Sequence, residues 1–236
     1  MKSFKDFRSL LKEADSNDGV INGNINLNKI YIKELPEFLK DITLYGTLLC
    51  SHNQLTSLKN CPHKIKGGLI CRDNNISTLE DLQSVEFIYN DDVYHMSTRL
   101  DLSYNKIKSL DGLGDIGNGN LHINFNLLTS LQGCPDIIEG NFICSYNNLK
   151  TLVGGPSHTR GYDCNNTQIT SLRGCAKIIG GDFGCSNNLL LTDITGFPSR
   201  VAQDIDWYNN GIELDIPHIS KICDVRLDRI YTDENI

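Results

Sequence analysis

The sequence predicts a mainly β fold in which short parallel strands stack into a curved solenoid. Two observations predict it: one motif recurs along most of the chain at a nearly constant spacing, and apolar residues take the same places in each copy. The clearest copy is Gly46 to Ile65, GTLLCSHNQLTSLKNCPHKI. A fixed period of about 20 to 50 residues is typical of repeat arrays. One copy buries too little apolar surface to offset its backbone entropy, so the copies must stack.

Each copy contains one residue, here called the anchor, at the end of its strand. Successive anchors are 21, 31, 21, 21, 20, 21 and 22 residues apart, so the period of 21 is interrupted once. An asparagine amide can bond to backbone groups that a turn leaves unpaired, which explains why seven of the eight anchors are asparagine. The anchors are Asn53, Asn74, Asn105, Asn126, Asn147, Thr167, Asn188 and Asn210.

Apolar residues lie five and three positions before each anchor. Residues two apart on a strand share one face, so these side chains are predicted to point inward. Further apolar residues follow two and five positions after most anchors. The resulting pattern, L-x-L/C-x-x-N-x-L-x-x-L, resembles the leucine-rich repeat, which implies a curved parallel sheet with short irregular or 3-10 turns at its back. The two inward positions are Leu48 and Cys50, Leu69 and Cys71, Leu100 and Leu102, Leu121 and Ile123, Phe142 and Cys144, Tyr162 and Cys164, Phe183 and Cys185, and Ile205 and Trp207.

The chain divides into three parts. Residues 1–14 are predicted to form a short N-terminal amphipathic helix, because Phe4, Phe7 and Leu11 recur at helical spacing. Residues 15–217 form a repeat domain of about nine turns, with an insertion near 85–98. Residues 218–236 form a C-terminal cap with an acidic tail, where the alternation from Val225 to Asp228 predicts a final capping strand.

Composition excludes several functional classes. The chain carries 22 Lys and Arg against 29 Asp and Glu, which argues against a nucleic-acid binder and leaves an acidic nucleic-acid mimic as an alternative. No stretch is long and apolar enough to span a membrane. Cysteines exchange with Leu and Ile at repeat positions and form no C-x-x-C pair, so we expect free, buried thiols of a cytosolic protein, with no metal site.

Nothing in the sequence predicts catalysis or a cofactor. GLGDIG, from Gly112 to Gly117, matches a G-x-G-x-x-G pattern but lies on the back of a repeat and not between a strand and a helix. The six histidines are scattered along the repeats, without an activated nucleophile at a corresponding position. We therefore expect a protein that is not an enzyme.

The candidate binding residues lie beside the anchors. Tyr104, Phe125 and Tyr146 each precede an anchor in three consecutive copies, so their side chains are predicted to lie about 5 Å apart. Such a row can be an exposed binding strip or a ladder of rings that stack on each other. The outward strand residues Arg99, Asp101 and His122 are expected to add polar specificity.

The insertion offers a second candidate surface. Phe87, Tyr89 and Tyr94 lie beside the acidic residues of EFIYNDDVYHMSTR. Aromatic residues in this setting suit a recognition surface, while the alternative is a widened turn that folds back over the core.

Two resemblances concern the source of the protein. Its first residues, MKSFKDFRSLLKEA, resemble the capsid-targeting segment of internal head proteins of T-even-type phages, and Leu11-Lys12-Glu13 before Ala14 resembles their processing site. The alternative is a helix that caps the first repeat. Repeats such as CSHNQLTSLKNCP, from Cys50, are similar to those of proteins that such phages encode.

These resemblances imply a function. The expected protein is a non-enzymatic protein-binding module that binds and inhibits or redirects a host protein, a defence or takeover factor, in the cytoplasm of the infected bacterium. The alternative is a structural head protein that is packaged inside the virion.

Overall fold

The computed structural model describes Lys2, Ser3, Ser9, Lys12 and residues 17–88, 98–117 and 119–233. Most of its regular structure consists of short strands joined by turns. In chain order the strands are β1 (Lys2–Ser3), β2 (Val20–Asn22), β3 (Ile25–Asn26), β4 (Thr43–Tyr45), β5 (Leu48–Leu49), β6 (Lys64–Ile65), β7 (Leu69–Ile70), β8 (Glu86–Phe87), β9 (Thr98–Asp101), β10 (Asn120–His122), β11 (Ile137–Ile143), β12 (His158–Asp163), β13 (Ile178–Ile179), β14 (Phe183–Gly184), β15 (Arg200–Val201), β16 (Ile205–Trp207) and β17 (Ile230–Thr232).

The predicted parallel solenoid is confirmed. The main sheet runs in the order β1-β3-β5-β7-β9-β10-β11-β12-β14-β16-β17, and each neighbouring pair is parallel. Leu100 pairs with Leu121, which pairs with Phe142 in the next coil. Both inward columns are buried from Leu48 to Trp207. Side chains separated by one period therefore lie above one another in a shared core.

A second row of strands precedes the main sheet, and the sequence analysis did not predict it. The strands β2, β4, β6 and β8 form a separate four-stranded sheet, while β13 pairs with the first half of β12 and β15 pairs with β13. A glycine stands at the corner between the two rows. A Cβ atom on Gly46, Gly67 or Gly140 would lie under 3.0 Å from the backbone of the preceding coil. Glycine there lets successive coils approach closely.

The back of the solenoid consists of turns and short helices, as expected. Two 3-10 helices, Glu37–Asp41 and Glu80–Ser84, each bury one leucine, Leu39 or Leu82. Residues 89–97 of the predicted insertion lie outside the described residues.

The two ends differ from the prediction. The N-terminal helix over residues 1–14 is not confirmed, because Lys2–Ser3 forms β1 and extends the main sheet beside β3. Ser9 and Lys12 are helical, and the rest of residues 4–16 lies outside the described part of the chain.

At the C-terminus the helix α1 (Ile216–Ile222) was not predicted, and the Asp215 side chain caps it by accepting from the His218 N–H at 3.1 Å. The capping strand exists as β17, but it begins at Ile230 because Leu227–Arg229 forms a 3-10 turn.

Side-chain hydrogen bonds of the anchors join consecutive coils. The Asn126 Nδ2 donates to the carbonyls of Ile123 in its own coil and Leu102 in the coil before, both at 3.0 Å. Its Oδ1 accepts from the Ile107 N–H at 3.0 Å. Asn74, Asn105 and Asn147 repeat this arrangement, and we call the whole set the asparagine ladder.

Thr167 interrupts the asparagine ladder. Its hydroxyl donates to Asn188 Oδ1 at 2.7 Å, but threonine has no amide oxygen for the Leu149 N–H of the preceding coil. We therefore expect weaker coupling between these two coils.

All nine cysteines are free, and eight of them are buried. Burial raises the pKa of Cys61, Cys71, Cys144 and Cys175 well above the usual range. A hydrogen bond with Cys185, together with burial, does the same to the pKa of Cys164. Burial also raises the pKa of Cys134 to about 12 and of Cys223 to about 11. The thiol form dominates at neutral pH, so these cysteines are weak nucleophiles. The Tyr162 hydroxyl is also buried, without a hydrogen-bond partner among the described residues.

Removing one amide of the asparagine ladder is expected to destabilise the protein. Asn126→Ala leaves buried donors and acceptors unpaired, which costs at least about 2 kcal/mol of unfolding free energy. Thr167→Asn supplies an acceptor for the Leu149 N–H and is expected to gain roughly 0.5–1.5 kcal/mol. Urea unfolding followed by circular dichroism measures both, with exposed Asn148→Ala as the control. Equal losses of unfolding free energy in Asn126→Ala and Asn148→Ala would mean that the asparagine ladder does not stabilise the fold.

Candidate functional site

The residue before each of the eight anchors has a left-handed backbone. Its φ lies between 54° and 59°. The chain needs this conformation because it leaves the strand and turns inward to place the anchor side chain. Asparagine, aspartate and histidine tolerate it better than other residues with a Cβ atom. The residues in this column are His52, Asp73, Tyr104, Phe125, Tyr146, Asn166, Asn187 and Asn209.

Three aromatic side chains in this column form a stack, which we call the aromatic ladder. The ring centroids of Tyr104 and Phe125 are 4.2 Å apart and those of Phe125 and Tyr146 are 4.1 Å apart, with interplanar angles of 12° and 8°. Tyr104 is 40% and Tyr146 47% exposed, and Phe125 is half-buried. The rings therefore stack on each other, as one of the two alternatives expects, and still present surface to a partner.

Aromatic residues are energetically unfavourable at this position. A left-handed backbone costs an ordinary residue roughly 1–2 kcal/mol, while an aromatic stack returns about 0.5–1.5 kcal/mol. Asn166, Asn187 and Asn209 fill the same position in the next coils with residues that this backbone suits better. Stability alone does not explain the rings, and strain of this kind points to a functional use.

The two ends of the aromatic ladder differ. The Arg72 guanidinium lies 5.0 Å from the ring centroid of Tyr104 and covers that end. Phe125 covers one face of Tyr146. The other face points toward Asn166, and no ring or cation of the described residues lies on it.

Asp101 and His122 are neighbours on the outer face of the main sheet, in register between β9 and β10. The Asp101 Oδ1 accepts from the Ser103 N–H at 2.9 Å and from its hydroxyl at 2.6 Å. Burial lowers the pKa of His122, and the Asp101 carboxylate opposes that shift. Arg99 lies in β9, and its side chain is outside the described atoms.

Of the remaining predicted site residues, the structure describes only Phe87. Phe87 lies in β8 and is only 5% exposed, so its side chain belongs to the core, as the widened-turn alternative expects. Tyr89 and Tyr94 lie outside the described residues, and so do Glu13 and Ala14 of the predicted processing site.

Carboxylates gather on the outer face of the last coils. Burial raises the pKa of Asp163 and of Asp206, and the carboxylates of Asp182, Asp204 and Asp163 raise that of Asp206 further. The Asp163 Oδ2 accepts from the hydroxyl of Ser145, the residue before Tyr146, at 3.1 Å. Within the described residues, no group of three or more His, Cys, Asp or Glu side chains is placed to hold a metal ion.

Two open concavities among the described residues are lined by side chains other than those of the aromatic ladder. One of about 420 Å³ is lined by Lys29, Tyr31, His52 and Asp73. The other, of about 460 Å³, lies on the second strand row, with the partly exposed Ile137 and Ile178 in its lining. Sequence reasoning missed the latter because it missed that strand row, whose only sequence signal is an apolar residue two positions before some corner glycines, such as Gly46, Gly67 and Gly140.

Comparison of the chain with protein-family models and with curated proteins finds no match. None of the described helices has the length and apolar character to cross a membrane.

Replacing the central ring of the aromatic ladder is expected to leave stability nearly unchanged. Phe125→Asn loses two ring stacks but relieves the backbone, so the free energy of unfolding should stay within about 1 kcal/mol of the parent value. Phe142→Ala, in the core, should cost about 3–5 kcal/mol. Urea unfolding compares the two variants. A loss for Phe125→Asn as large as that for Phe142→Ala would mean that the ladder is structural.

Stability is expected to decrease as the pH falls below about 6.5, partly because of His122. Burial lowers the pKa of His122, so the unfolded chain binds its proton first and acid favours unfolding. His122→Gln should reduce the loss of unfolding free energy between about pH 7 and 5. Unfolding at several pH values measures this, with exposed His218→Gln as the matched control. If the unfolding free energy of His122→Gln depends on pH as steeply as that of the parent protein, His122 does not cause the loss of stability.

Proposed function

We propose that the protein is a non-enzymatic protein-binding solenoid whose main contact is the aromatic ladder of Tyr104, Phe125 and Tyr146. The observation that supports this most directly is the use of three adjacent, partly exposed aromatic residues at positions where the left-handed backbone favours asparagine. Tyrosine and other aromatic residues are enriched at the centres of protein interfaces.

The surroundings of the aromatic ladder suit a specific interface. Asp101 and His122 lie on the adjoining sheet face and supply polar contacts. The stacked coils hold all of these side chains on regular backbone. Little conformational freedom is lost on binding, which favours affinity.

The proposed mechanism is steric occlusion. A partner that lies across the outer rows of the solenoid has the contacted part of its own surface blocked, without any chemical step. Solenoids commonly bind in this way, because their interior repeats while their outer rows vary.

The proposed partner is a host protein of a phage-infected bacterium, which this protein would inhibit or redirect. This proposal depends on the similarity of repeats such as CSHNQLTSLKNCP to those of T-even-type phage proteins. The segment around Glu13 and Ala14 favours a second candidate, a head protein packaged in the virion, through its resemblance to a processed capsid-targeting segment.

Partner capture is expected to depend on the aromatic ladder. The tagged protein, purified from infected cells and analysed by mass spectrometry, should retain a host protein. Replacing Tyr104, Phe125 and Tyr146 together by asparagine should reduce its recovery at least about tenfold, since aromatic hot spots each contribute 1 kcal/mol or more. Leu189→Asn, which removes an exposed apolar residue away from the ladder, is the matched control.

Retained capture by the folded triple variant would overturn the site. Abundance in virions with no host protein captured would favour the packaged head protein. Recovery of DNA-binding proteins that falls steeply with salt would instead identify an acidic nucleic-acid mimic.

A further inference from the structure

The aromatic ladder has one covered end and one open end. At the covered end the Arg72 guanidinium lies 5.0 Å from the ring centroid of Tyr104, a distance at which a cation is attracted to an aromatic face. At the open end Tyr146 is 47% exposed, and its outer face points toward the shorter side chain of Asn166. The contact between Arg72 and Tyr104 thus shows how a guanidinium can bind to an end of the ladder.

Among the described residues, no cation takes the equivalent place over Tyr146. Arg72 stands two positions before its anchor, and the residue at that position in the coil after Tyr146 is Asn165. Asn165 is too short to cover the ring, and its Oδ1 accepts a hydrogen bond from the Ser186 N–H. The outer ring face is therefore left to a group from another molecule.

The electrostatic surroundings favour a cation at this end. The Asp163 carboxylate bonds to Ser145, the neighbour of Tyr146 in sequence, and Asp182 and Asp206 follow on the same outer face. Arg229 pairs with Asp204 at 3.1 Å, and neither Asp182 nor Asp206 has such an ion pair among the described residues. A surface of one sign attracts ligands of the opposite sign.

We propose that the outer face of Tyr146, with Asn166 beside it and Asp163 at its rim, is a subsite for an arginine side chain of the partner protein. The proposal rests on the proposed function and names the chemistry of the partner. Arginine fits better than lysine, because its planar guanidinium stacks on a ring while its edge donates to a carboxylate. An aromatic side chain of the partner could also stack on Tyr146, but it is uncharged and would not be attracted by the carboxylates.

The test is an amide chemical-shift titration of the ¹⁵N-labelled full chain at low salt. The probe is N-acetyl-arginine amide, and N-acetyl-lysine amide is the comparison. Shifts are expected at residues 145–147 and 165–167, with binding of the lysine probe weaker by a factor of about 3 to 5. Tyr146→Asn should abolish the shifts. Equal binding of both probes, shifts elsewhere only, or unchanged shifts in Tyr146→Asn would overturn the subsite.

A second variant tests the same chemistry by gain of binding. Arg72→Ala uncovers the outer face of Tyr104, so a second set of shifts should appear at residues 72–74 and 103–105 with the arginine probe. Absence of this second set would mean that an uncovered ring face of the ladder does not bind a guanidinium. The contact between Arg72 and Tyr104 would then no longer support the subsite.

The two proposals fail in different ways. If partner capture is lost in the triple ladder variant but the arginine probe does not bind the parent protein, the subsite is wrong and the proposed function stands. If the probe binds at Tyr146 but capture survives the triple variant, the proposed function is wrong and the subsite remains without that role.

Discussion

The hydrogen bonds of the asparagine ladder are the constraint on which the rest of the structure depends. After each strand the chain turns inward and leaves backbone groups unpaired, and a buried amide such as that of Asn126 satisfies them in two coils at once. This arrangement requires a left-handed backbone at the preceding residue. Every coil therefore presents one side chain at the same place and in the same direction.

That geometric requirement gives the candidate site its form. Side chains such as Tyr104 and Phe125 repeat with the spacing of parallel strands, about 4.8 Å, and rings at this spacing stack with small adjustments, their centroids being 4.2 Å apart. The scaffold that satisfies the backbone thus also fixes a rigid, partly exposed aromatic surface. Arg72 covers one end of this surface and the other end stays open, so a partner meets two different ends.

The period and the inward columns could be predicted from sequence because the same apolar residues recur there in eight copies. The second strand row could not be found in that way: its strands are mostly two residues long, and Thr159 replaces the apolar residue in one copy. The left-handed column carried a signal in its Asn, Asp and His residues, which Tyr104, Phe125 and Tyr146 obscured. Stacking and the cover by Arg72 depend on side-chain directions that spacing alone does not define.

Amide hydrogen exchange measured by NMR tests the central claim most directly. The N–H groups of Ile76, Ile107 and Leu128 each donate to an anchor Oδ1 and lie in turns, where exchange would otherwise be fast. These amides are expected to exchange as slowly as strand amides, and the amide of Leu149, whose partner coil carries Thr167, is expected to exchange faster. Exchange of Ile76, Ile107 and Leu128 at the rate of open turns would contradict the central claim.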